Sequence, residues 1–217
     1  MNFKTLFSIA AIAAITQVTG CAMVQTTTKL DVPVAKSVST TGPAVNIVSV
    51  TDNRKFVYPH EAGDCETPSV ENEKMLNDAD VKARAFSRQG RCDGGEWANH
   101  AMVTVPEGQT IAGNVKDAII AGLEESGYRV TKSDPSATSI SVTVNKFWVG
   151  RELDGMGVRY WYGYDIDVQT PEKKFNVASS QSEKIYVVFS FSKASEYADL
   201  NLKSITQEVR QRMSRSS

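Results

Sequence analysis

The stretch "GVRYWYGYDIDVQ", residues 157–169, alternates strictly: Val158, Tyr160, Tyr162, Tyr164, Ile166 and Val168 fall on one face, and Arg159, Trp161, Asp165 and Asp167 on the other. That period of two predicts a strand with one face in the core. The preceding "TSISVTVNKFWVG", residues 138–150, places Ile140, Val142 and Val144 on a single face, and the intervening "RELDGMG" carries two glycines suited to a loop. Together they predict a long antiparallel hairpin. Its register follows from the need for the two apolar sets to coincide, because directly opposed residues share a face. Val144 is then expected opposite Tyr164, Val142 opposite Ile166, Ile140 opposite Val168, and Trp148 opposite Tyr160. In this register Phe147 faces Trp161 on the second face, with Val149 and Arg159 beside them. Phe147, Val149, Arg159 and Trp161 therefore form the candidate partner or ligand patch, since aromatic residues with arginine are the composition of an interface hot spot. The bland alternative is that another segment folds over these residues and buries them as a satellite core.

Outward from the hairpin, "AVNIVSVTD" at 44–52 is apolar on both sides, as an inner strand is, and stops at Asp52-Asn53-Arg54. "HAMVTVP" at 100–106 predicts a short strand ended by Pro106. "TIAGNVKDAIIAGLEESGY" at 110–128 is the clearest helix, with Ile111, Val115, Ala118, Ile119, Gly122 and Leu123 as its apolar stripe and Gly127 as its stop. Gly113 and Gly122 each cost about 1 kcal/mol against alanine, which close packing on a sheet would explain. "YRV" at 128–130 resumes extended structure, and residues 175–191 supply one or two more strands. The last segment, 193–215, repeats Ala194, Tyr197, Ala198, Ile205, Val209 and Met213 at helical spacing. The predicted class is α+β: a mostly antiparallel sheet with two helices packed on one face.

Between the first two strands, residues 56–100 are polar and Gly-rich apart from a short helical candidate at 69–86. They have too few apolar side chains for a core of their own, so they read as an excursion from a single domain spanning 44–217. Cys65 and Cys92 lie within it and are expected to pair in a disulfide. Closing that 28-residue loop would contribute about 3–4 kcal/mol in the chain-entropy view. The rival reading is a metal site drawn from His60, Asp64, Cys65, Cys92, Asp93 and His100. Their spacings match no common zinc pattern, and neither metal nor cofactor is expected.

The N-terminus locates the protein. Lys4 followed by the apolar run Leu6–Ile15 is a signal-peptide pattern, too short to span a bilayer. Val18-Thr19-Gly20-Cys21 resembles the lipobox of bacterial lipoproteins. The resemblance implies cleavage before Cys21 (residues 1–20 removed) and acylation of that cysteine, with Ala22 directing the chain to the periplasmic side of the outer membrane. Two or three acyl chains hold a protein on a membrane durably. Residues 21–43, rich in Thr, Ser, Val and Pro, are expected to be the lipidated cysteine and a flexible tether. Removing 1–20 takes away only Lys4 among the charged residues and leaves 23 basic against 25 acidic. That balance gives no ground for nucleic-acid binding.

The lipobox, "VSVTDNR" at 48–54, "LEESGYRV" at 123–130, the hairpin and the C-terminal helix are together similar to the YajG-type family of outer-membrane lipoproteins. The resemblance implies envelope residence and a binding or assembly role with an envelope protein partner, without enzymatic activity. Independently, both histidines sit in the excursion and no serine lies in a G-x-S-x-G elbow. The pairs Asp165/Asp167 and Glu124/Glu125 could serve acid–base chemistry only in principle, since solvated charges are the commoner state of such residues. The expectation is a non-catalytic envelope protein. A second class, a small-ligand or glycan binder, would use Trp161 as a stacking platform with Asp165 and Asn145 as polar partners.

Overall fold

The computed structural model describes residues 26–36, 38, 40–58, 64–88, 102–186 and 192–214. In chain order these form β1 (Thr26–Thr27), β2 (Ala44–Asp52), a 3-10 turn (Glu73–Asn77), α1 (Ala79–Arg84), β3 (Ala85–Arg88), β4 (Met102–Thr104), α2 (Ile111–Glu125), β5 (Arg129–Val130), β6 (Thr138–Asp154), β7 (Gly157–Gln169), β8 (Lys174–Ile185) and α3 (Ser192–Met213). β2, β4, α2, β6, β7, β8 and α3 fall where the sequence pattern put them, with Gly127 ending α2 at a φ of 86°, whereas β1 and β3 lie in the stretches read as tether and helical candidate.

The sheet itself corrects the expectation of a mostly antiparallel one. β6 pairs β7, β7 pairs β8 and β3 pairs β4 antiparallel, but β1 with β4, β2 with β5, β2 with β6 and β3 with β6 are parallel. The physical reason is the length of the connections. β2 and β6, the longest parallel pair, are separated by the 85 residues between Asp52 and Thr138, and parallel neighbours need such a long connection where a tight hairpin joins only antiparallel ones.

One face of this mixed sheet carries α2 and α3. Ala198, Leu202, Ile205 and Val209 of α3 and Val115, Ala118, Ile119 and Leu123 of α2 are buried in the main core with Ile140, Val142, Val144, Ile166 and Val168. The two helices approach each other closely at Gly122. A Cβ there would lie 2.7 Å from the Thr206 carbonyl oxygen, so this glycine serves helix–helix contact and not packing on the sheet. Thr206 Oγ1 completes the contact by donating to the Ala118 carbonyl at 2.9 Å.

The segment read as a tether is bound to the domain from Thr26 to Asp31, whereas Val34 is 84% exposed. Thr26 and Thr27 pair with Val103 and Thr104, and Leu30, 3% exposed, is a member of the main core. The Asp31 amide then donates to Asp199 Oδ1 on α3 at 2.7 Å. This strap runs from β1 at the edge of the sheet across the helical face, past α3 at Asp199 and α2 at Ile120 and Ala121.

Candidate functional site

The hairpin register differs from the one expected, and the difference rearranges the candidate site. Val144 pairs with Ile166 and Val142 with Val168, and a bulge at Asn145 then shifts the phase so that Lys146 meets Asp165 and Phe147 meets Tyr164. A bulge inserts one unpaired residue and moves the side chains beyond it to the opposite face. Phe147 and Val149, both 0% exposed, consequently lie in the main core. Of the four predicted patch residues, only Arg159 and Trp161 share the outer face.

The tyrosines on the inner face behave as the alternation implied. Tyr160 and Tyr162 pack against the ring of Tyr197 on α3, at centroid distances of 4.9 and 4.7 Å. The Tyr164 hydroxyl lies 2.7 Å from Ser204 Oγ and donates to Glu208 Oε1 at 3.0 Å. Desolvation by burial pushes the phenols of Tyr164 and Tyr197 well above their usual value, so they are neutral hydrogen-bonding groups.

The outer face is built in rows across β6, β7 and β8. The excursion covers the row of Trp148, Gly163 and Ser180 and reaches Gly150 in the next. Trp148 is 3% exposed and belongs to a second cluster with Val81, Ala85 and Met102, against which Phe56 and Met75 pack. Residues 64–67 continue this cover. The Cys65 backbone lies directly on Gly150, where an added Cβ would stand 1.9 Å from the Cys65 carbonyl oxygen. Glu66 Oε2 accepts from Lys146 Nζ at 2.6 Å and from Ser180 Oγ at 2.9 Å. It thereby bridges β6 and β8. The Lys146 hydrogen bond is the main reason the Glu66 carboxyl titrates below its ordinary value of 4.5.

The next rows hold what remains open. Trp161 lies between Gly150 and Ser182, half-buried, with Nε1 donating to Glu152 Oε1 at 3.1 Å and the Arg159 guanidinium 6.0 Å from its ring centroid. Arg159 Nε also donates to Asp154 Oδ2 at 3.0 Å, and Lys184 Nζ lies 3.0 Å from Asp154 Oδ1. Lys184 and then Arg159 hold the Asp154 carboxyl below its usual range. The result is an indole framed by alternating charges, next to a covered row.

Asp165 and Asp167 are not an acid–base pair. Asn176 Nδ2 donates to both, at 2.7 and 3.1 Å, and Asn145 Nδ2 reaches Asp167 at 3.4 Å. Asn145 and Asp165 are thus tied into a polar row about 13 Å along β7 from Trp161, which removes them as its ligand partners. Glu125 is paired with Arg210 at 3.3 Å. Cys21, Cys92, His60, Asp93 and His100 lie outside the described residues. Among the described residues, no group of three or more His, Cys, Asp or Glu side chains is placed to hold a metal ion.

Sequence reasoning passed over Arg54, whose guanidinium is fully buried. It donates to Asp52 Oδ1 and Oδ2 and to the carbonyls of Ala85 and Lys82, the last two at 2.6 Å. The Asp-Asn-Arg end of β2 is therefore a staple that fixes the C-terminus of α1, and with it the excursion, to the sheet. Asp followed two residues later by Arg at a strand end was the available signal.

No protein-family model matches the sequence, so the likeness to YajG-type lipoproteins stays one of motifs, and no curated protein matches it. Among solved structures, an uncharacterized protein overlaps 87% of this chain and 99% of its own at 8% identity and a TM-score of 0.46. A Xanthomonas campestris protein described as DUF330 overlaps 86% and 94% at 11% identity and a TM-score of 0.43. A protein from Caulobacter crescentus CB15, described as a candidate lipoprotein, overlaps 46% and 74% at 12% identity and a TM-score of 0.28. At such scores the function is argued from this chain's own residues. No helix among the described residues is long and apolar enough to cross a membrane.

Proposed function

We propose that the protein is a non-catalytic lipoprotein, anchored through an acylated Cys21 on the periplasmic side of the outer membrane, whose outer sheet face docks an envelope protein at Arg159 and Trp161. The observation that carries the docking site is the contrast between two tryptophans: Trp148 is buried beneath the excursion, while Trp161, beneath Arg159 and beside the Cys65 segment, is only partly buried among paired charges. A large aromatic with arginine at a partly desolvated position is the arrangement that concentrates binding energy in interfaces. The flanking Glu152, Asp154 and Lys184 supply a polar rim that selects a partner of complementary charge.

The excursion that defines the edge of this site is held by the Arg54 staple, by Glu66, and by a disulfide between Cys65 and Cys92, which thiol titration of the unreduced protein checks. Docking is tested by a photo-crosslinking amino acid at position 161 in cells, followed by mass spectrometry. One recurrent envelope protein is the expected product, and crosslinks only within the chain overturn the reading. Cys21→Ser tests the anchor, since it is expected to move the protein from the membrane to the soluble periplasmic fraction.

A further inference from the structure

The position of β1 fixes which end of the domain can reach the lipid. Thr26 pairs with Val103, Val103 with Ser87, and Ser87 with Val149, so the first residue of β1 stands level with Val149 of β6. Only residues 22–25 separate Cys21 from Thr26, a span of at most about 18 Å even when fully extended. From Val149 the hairpin rises five residues to Asp154, about 17 Å, whereas the opposite end of the strand at Thr138 lies about 36 Å below. A chain anchored at Cys21 therefore reaches a surface touching the hairpin tip and falls far short of one touching the turns at 131–137 and 170–173.

Two of the three most exposed large apolar side chains among the described residues also stand at the tip. Met156 is 95% exposed at the turn between β6 and β7, and Tyr186, just beyond the end of β8, is 72% exposed. Ile185 pairs with Val158, which sets Tyr186 at the level of that turn. The Lys184 ammonium lies 5.3 Å from the Tyr186 ring centroid. An unbranched thioether, an amphipathic phenol and a lysine on one rim are suited to the headgroup boundary of a bilayer, where tyrosine rings settle with their polar end wet.

We infer that the β6–β7 hairpin tip, through Met156 and Tyr186, is a lipid-contacting surface that seats the domain upright on the membrane. The inference rests on the anchored reading. The test places a photo-crosslinking residue at 156, or at 136 in the opposite turn, in the full acylated chain reconstituted in phosphatidylethanolamine–phosphatidylglycerol vesicles. Lipid adducts from 156 and none above background from 136 are expected. Equal adducts from both positions, adducts from neither, or adducts from 156 to a second protein copy alone overturn it. Intact mass of the same samples reports acylation of Cys21 separately. Loss of the acyl mass therefore removes the anchored reading itself, while acylated protein without adducts at 156 removes only the orientation.

Discussion

On β7 the two faces have different kinds of cover. The inner face packs its tyrosines against α3, a long helix joined to the neighbouring α2 through buried aliphatic side chains and the close approach at Gly122. The outer face is covered by the excursion, which is held by a small apolar cluster around Trp148 and by point attachments: Arg54 on the Lys82 and Ala85 carbonyls, Glu66 on Lys146 and Ser180, and the Cys65 backbone on Gly150. An apolar layer fails as a whole, whereas a stapled layer can be released one attachment at a time. That difference favours a partner site at the border of the stapled cover.

Breaking the strongest staple is expected to have the largest effect. Arg54→Ala leaves Asp52 and two carbonyls without their buried donor and should cost about 3–4 kcal/mol, measured by denaturant unfolding. Gly150→Ala forces the Cys65 backbone off the sheet and should cost about 3 kcal/mol, with Trp148 emission shifting to the red as its cover lifts. Gly122→Ala probes the inner face, where Val209 and the Thr206 carbonyl leave no room, and a loss of about 2 kcal/mol is expected. Here the signature is a lower Tm with the unfolding transition still single, while Gly150→Ala should show early loss of the outer cover. A single coincident transition in both variants would erase the distinction between the faces.

Acid provides a gentler version of the same test. The folded-state pKa of Glu66 is lowered, so its bridge is fully present above pH 4.5 and is lost as pH falls through the folded value. Tryptophan emission should report release of residues 64–67 in that range, and Glu66→Gln should flatten the response. The smallest stability effect is expected for Trp161→Ala, at about 1 kcal/mol, because the indole is only partly buried. Its loss should appear instead as weakened crosslinking to the envelope partner.

The sequence pattern made the helices and the inner face of β7 legible because each has an unbroken period. It could not reveal the phase of β6 beyond Val144. Phe147, Trp148 and Val149 are three consecutive apolar residues, so either phase offers a large side chain to the core, and the bulge at Asn145 leaves no mark in the hydrophobic pattern. The same ambiguity recurs in β2, where Val45 to Val50 reads as apolar on both sides. There a register shift turns Val48 outward to 54% exposure. The strap escapes a sequence reading for another reason: Leu30 is a lone buried residue in a polar stretch, and a single side chain has no period. Arg54 and Glu66 act on segments distant in sequence, which no local spacing encodes.

The strap also sets how the domain bears load. For a chain held at Cys21, tension from the membrane reaches the two-residue β1 ladder and Leu30 before it reaches any long strand. Peeling residues 26–43, β1 included, would release up to about 60 Å of slack while β2 to β8 stay paired. In a chain anchored as proposed, the strap would act as a mechanical fuse, short-leashed at rest and long-leashed under pull, with the rest of the folded domain preserved in both settings.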